Sequence, residues 1–165
     1  MIMEDADRGV EIRHAEDVDL DALTQLGIGI QQLHADGRPD LFNEPVADDI
    51  REFFRSQLAE GSHVLVAETG ASGPIGYLIA EHRTRDANPF MQASSVLYIH
   101  HISVEPSSQA TGIGQRLMDA VVSLARTLNV STLRLDSWHF NTDAHGFFES
   151  QGFTPVNIVF ERQLI

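Results

Sequence analysis

Cysteine is absent from this chain. Its absence removes a disulfide framework, a thiolate zinc site and a cysteine nucleophile together. Eight histidines remain as ligand candidates, but none stands in an H-E-x-x-H arrangement, and no metal is expected. Nor is there a run of about 18 apolar residues, and the opening MIMEDADRGV is acidic without the apolar stretch of a signal peptide. The expected compartment is therefore the cytoplasm, with no membrane partner. Positive charge is scarce as well. Eleven basic side chains against 24 acidic ones leave a formal net charge of −13, which argues against holding nucleic acid by phosphate neutralisation and suits a cationic partner better.

The 165 residues suffice for one well-buried α/β core and fall short of two ordinary domains, so residues 1–165 are expected to form a single domain. With 42% hydrophobic and 21% charged residues, and no repeat or low-complexity tract, the composition is that of a globular fold.

Strand and helix periodicities alternate along the chain. Val10–His14 reads as a strand, and Asp17 or Asp19 caps a helix bearing Leu20, Leu23 and Leu26, in which Gly27 and Gly29 weaken the second half. The turn-forming segment His34–Pro45 predicts a loop, whose Phe42 belongs to no element. Ile50, Phe53, Phe54 and Leu58 form one stripe of a second helix, with Pro45 in its first turn and Gly61 at its end. His63–Glu68, Ile75–His82 and Val96–Val104 predict three strands, antiparallel because their connections are too short for crossover helices; TGASGP supplies the first hairpin turn. Leu117, Val121, Leu124 and Leu128 recur at helical spacing. STLRLDS is the next strand, Asn141 opens a helix that Gly152 ends, and IVFERQLI is expected to close the sheet.

Within SVEPSSQATGIGQRLM, Ser103–Met118, two glycines lie one residue apart where a strand gives way to a helix. Two readings are open. The free amide groups at a helix N-terminus hold an anion that comes close enough, or the turn simply needs positive φ. No G-K-[ST] follows, which argues against a nucleoside triphosphatase.

The turn QATGIG, Gln109–Gly114, after a strand ending in SVEP, resembles the Q/R-x-x-G-x-G/A pyrophosphate loop of the GCN5-related N-acetyltransferases, the GNAT superfamily. Downstream, NTDAHGFFESQGF resembles that family's N-x-x-A-x-x-F-Y-E-x-x-G-F helix, matching at Asn141, Ala144, Phe147, Glu149, Gly152 and Phe153. The element order from Val10 onward also fits.

The resemblance implies a mixed, mostly antiparallel sheet flanked by helices, with a splayed strand pair forming an acyl-CoA cleft. It implies acetyl-CoA as co-substrate and an amine acceptor, and it allows a homodimer. Backbone amides of Gln109, Ala110, Thr111, Gly112, Ile113 and Gly114 would wrap the pyrophosphate, with side chains at Gly112 or Gly114 standing in its way. Arg116 is a candidate helper. Ile102, Ser103 and Val104 would run beside pantetheine, with Asn141 and Phe148 near the cofactor. Phe148 stands where many relatives carry a tyrosine acid, so that role does not transfer.

Acetylating an amine requires a route for its proton. His100 is the first candidate base, at a position where arylalkylamine-acetylating relatives carry a histidine, because an ordinary imidazole titrates near neutral pH. Asp136 is the second, acting through water. His101 should face away unless a bulge rotates it. Phe42, Tyr98 and Trp138 are expected to border the acceptor. The reading is an acetyl-CoA-dependent N-acetyltransferase acting on a primary amine of a small molecule or a protein. The alternative is a non-catalytic acyl-CoA-binding regulatory module.

Overall fold

The computed structural model describes residues 9–70 and 73–165. Five strands, β1 (Val10–His14), β2 (His63–Thr69), β3 (Pro74–Arg85), β4 (Ser94–Val104) and β5 (Leu133–Leu135), form one sheet in chain order. The first four are antiparallel neighbours, and β5 runs parallel to β4. Ala71 and Ser72 of the expected TGASGP turn lie outside the described residues.

Helices α1 (Leu20–Gly37) and α2 (Ala47–Ala59) cover one face; α3 (Ile113–Thr127) covers the other, and α4 (Thr142–Ser150) follows β5. Alternation along β3 explains the two cores. Tyr77 and Ile79 pack with Leu23 and Phe54, whereas Leu78 and Ala80 pack with Leu117 and Val121.

Gly27 does not shorten α1. A Cβ there would come within 2.7 Å of Phe54 Cε2 and 2.8 Å of Ile50 Cγ2, so the missing side chain lets α1 and α2 approach closely. That packing offsets a helix penalty of about 1 kcal/mol. The helix consequently takes in His34–Gly37, the first part of the expected loop. Pro45 precedes α2, for which Val46 is the N-cap.

Two departures from regular pairing create the site. Ile79 pairs with His101 and Ala80 with Ile99, which leaves His100 as an extra, bulged residue on β4. On its other edge β4 pairs with β5 only over Leu97–Ile99, and beyond that the strands part.

The expected last strand is not formed. After Phe153, whose N–H donates to Phe148 O at 3.1 Å, the chain through Ile165 joins no sheet and is exposed throughout.

Candidate active site

The parted strands open into a cavity of about 1110 Å³. One wall is β4 from Ile99 to Val104 with the turn behind it, and the other is Leu135–Trp138 with the start of α4. The cavity is lined by Phe42, His100, Ile102, Ser103, Val104, Gln109, Ala110, Gly112, Gly114, Asp136, Trp138, Asn141 and Phe148, all expected from the sequence. Three expected residues point elsewhere. Ile113 is buried in the core beneath the turn, the Thr111 hydroxyl donates to Ser108 O, and Tyr98 stands beside Asp136.

The two glycines of the turn have different causes. Gly112, the N-cap of α3, has φ +85, and no protein atom lies within 4 Å of where its Cβ would stand. Left-handed backbone there favours glycine. Ala110 also has positive φ, +62, in the turn that leads into the positive end of the α3 dipole. Gly114 is bare for packing: its Cβ would lie 3.1 Å from Phe147 Cζ, where α4 leans on α3. Both glycines line the cavity, and at Gly114 packing against Phe147 adds a second reason for the bare position.

No arginine lines the cavity among the described residues. Arg116 instead donates to Val10 O at 2.8 Å, tying α3 to β1. The Gln109 amide donates to Val104 O at 3.1 Å, holding the turn against the end of β4. Asn141 caps α4, its side chain accepting from Ala144 N at 3.4 Å.

The bulge turns both histidines towards the same side. His100 Nε2 lies 2.6 Å from Glu81 Oε2, and Arg83 Nη2 lies 3.4 Å from the same ring nitrogen. The bond to His100 holds the Glu81 carboxyl below the usual range. A ring that donates Nε2–H to Glu81 carries its lone pair on Nδ1. His101 is stacked on Phe53, and its Nδ1 lies 3.1 Å from Tyr77 Oη. Burial pushes this imidazole down to about 4, so it is neutral at pH 7.

Beside them, the Tyr98 hydroxyl donates to Asp136 and the Arg83 guanidinium lies 4.0 Å from the Tyr98 ring centroid. Burial, followed by Asp136, pushes the phenol up to about 12.

Aromatic rings build the far end of the cavity. Phe42 is stacked on His34 and meets Trp138 edge-on, both at 5.0 Å between centroids. Phe42 is thus placed by the end of α1 and the segment after β5. Phe53, His101 and Asp49 complete this end.

As site residues, Glu81, Phe53 and Tyr77 escaped the sequence reading. A pairing register for β3 and β4 would have exposed Glu81, which faces Tyr98 directly.

Residues 28–153 match the model of the acetyltransferase (GNAT) family. The chain belongs to this family. Among solved structures, it resembles a tetramutant of the protein BH1408 from Bacillus halodurans at 26% identity, TM-score 0.84, over 93% of this chain and 99% of that one. Aminoglycoside N-acetyltransferase AAC(6')-Iy in complex with CoA shares the fold at 20% identity and TM-score 0.70, over 93% and 94% of the two chains. A predicted acetyltransferase with acetyl-CoA from Clostridium acetobutylicum shares it at 17% and 0.67, over 93% and 96%. No curated protein matches the sequence significantly.

Proposed function

We propose that this GNAT chain transfers the acetyl group of acetyl-CoA to the primary amine of an acceptor with an apolar or aromatic body. The observation that carries the reading is the gap between β4 and β5, which runs from the bare turn at Gly112 to the His100–Glu81 pair. The turn amides hold the pyrophosphate at the N-terminus of α3, and the open edge at Ile102–Val104 lies along pantetheine. Acetyl-CoA supplies an acyl group already activated as a thioester.

An acceptor amine of pKa near 10 arrives almost wholly protonated at pH 7. His100 Nδ1 takes one proton, with Glu81 on the opposite ring nitrogen stabilising the imidazolium. The amine lone pair then forms the N–C bond as the C–S bond breaks. The second proton, on the new amide nitrogen, passes through water to the leaving thiolate, conjugate to a thiol of pKa near 8.5. Phe148 has none to give, and Tyr98 is engaged with Asp136. The aromatic rings of Phe42, Trp138 and Phe53 receive the body of the acceptor, while Asp49 and Asp136 favour its ammonium group.

Phe148 favours one other reading, a regulatory module that binds acyl-CoA without turnover. Incubation with acetyl-CoA and a panel of arylalkylamines, polyamines and lysine peptides separates the two by mass spectrometry. Acetylated arylalkylamines are expected. Bound CoA with no product from any amine overturns the catalytic reading, and a preference for polyamines overturns the acceptor assignment.

A further inference from the structure

The cavity is charged in one sense only. Three carboxylates line it, those of Asp49, Asp136 and Asp143, and among the described residues no arginine does. The chain contains no lysine. Arginines on the helices around the acceptor end are already engaged: Arg38, at the end of α1, with Asp40 and Glu161, and Arg51 of α2 with Asp21. Arg83 reaches His100, but on the Nε2 side of the ring, where Glu81 Oε2 lies 3.2 Å from its guanidinium. Burial lowers His34 and pushes His101 down to about 4, so both of these lining rings are uncharged at pH 7.

This one-sided field bears on a single position of the acceptor. In an α-amino acid the carboxylate carbon is two bonds from the amine nitrogen, so a site that holds the amine against the thioester holds the carboxylate there too. It would give up water beside Asp136, with Glu81 behind His100 and no cation in return. An amine lacking that group meets the favourable half of the same field, its ammonium drawn towards Asp49 and Asp136. The formal net charge of −13 acts in the same direction at longer range.

We propose that the acceptor is an aromatic amine with no carboxylate on the carbon that bears its nitrogen, and that Asp49 and Asp136 exclude the parent amino acid. This selectivity rests on the proposed acetyl transfer. It also identifies the class of reaction that supplies the acceptor. An α-amino acid becomes such an amine by decarboxylation, in which carbon dioxide leaves and a proton takes its place on the α-carbon. The chain thus consumes the product of an amino-acid decarboxylation, and acetylation removes the positive charge of that product.

Phenethylamine, phenylalaninol and phenylalanine test the proposal, because they share one ring and differ at one position: hydrogen, a neutral hydroxymethyl group and a carboxylate. With acetyl-CoA, kcat/KM for phenylalanine should fall at least about 100-fold below that for phenylalaninol, which is close to it in size. Asp49→Asn combined with Asp136→Asn should narrow this ratio by about 10-fold or more. Calorimetric titration of the CoA-loaded protein with the same three compounds should give the same order without turnover. Phenylalanine acetylated or bound as well as phenylalaninol overturns the proposal. So does phenylalaninol excluded as firmly as phenylalanine, which would make bulk the cause, and so does a ratio unchanged in the double variant. Compounds that bind in the expected order but are never acetylated uphold the exclusion and overturn the proposed reaction instead.

Discussion

Replacing each glycine of the turn by alanine separates ligand binding from packing. At Gly112, with φ +85 and open space around the missing Cβ, alanine meets no clash but must adopt left-handed backbone. The cost is about 1–2 kcal/mol, which for a chain of this size lowers Tm by roughly 2–8 °C. At Gly114 the added Cβ falls 3.1 Å from Phe147 Cζ. Phe147 is only partly buried, so its ring moves a few tenths of an ångström at a cost near the low end of overpacking, about 1 kcal/mol. Phe147→Leu should then be less damaging in the Gly114→Ala background than alone, a coupling of about 0.5 kcal/mol or more. Calorimetric titration with CoA separates the two positions far more widely. Gly112→Val should lose on the order of 100-fold in affinity, as one or two charge-assisted bonds from the turn are blocked, whereas Gly114→Ala should lose less than about 3-fold. Wild-type affinity in Gly112→Val would refute the phosphate assignment, and strict additivity at Gly114 and Phe147 would refute the packing argument.

His100→Ala should lose roughly 10² to 10⁴ in turnover together with the imidazole limb of the pH–rate profile, while Asp136→Asn keeps that limb; the reverse pattern moves the base to Asp136. His101, lowered from 6.5 to about 4, binds a proton more readily unfolded than folded, so its contribution is complete above pH 6.5 and is lost as pH falls towards 4. Denaturant titrations across that window should show His101→Gln losing less stability on acidification than wild type; identical slopes would exclude His101 as the cause. With a chain of net charge −13 and no arginine lining the cavity, CoA affinity should hold or rise between about 50 and 300 mM salt, over which the Debye length shortens from roughly 14 to 6 Å. A steep fall would reveal a cationic phosphate contact.

The strands and helices whose signal is local were legible in the sequence. β1 was placed to the residue, and the stripe of Leu117, Val121 and Leu124 marks α3 because one face of it meets the sheet. Gly27 misled because its reason lies on another helix: Phe54 and Ile50 need the space that propensity counts as a weakness. Likewise Gly114 has a reason on another helix, where Phe147 needs the space beside it. The position of His100 was legible, but Glu81 was not, since the pairing depends on a β-bulge that no local pattern announces. The segment IVFERQLI has the composition of a strand and lacks a strand partner within the chain, a distinction that composition cannot make.

The central claim is that an amine attacks the thioester inside the β4–β5 cleft, and free thiol reports it directly. A thiol-reactive chromophore reads released CoA without background from the protein, because the chain has no cysteine. With acetyl-CoA and an arylalkylamine, the account predicts thiol release in step with acetylated amine, one for one, with release negligible when the amine is omitted and strongly reduced in His100→Ala. Thiol released at the same rate with and without amine, or no release from a chain that binds CoA, would contradict it.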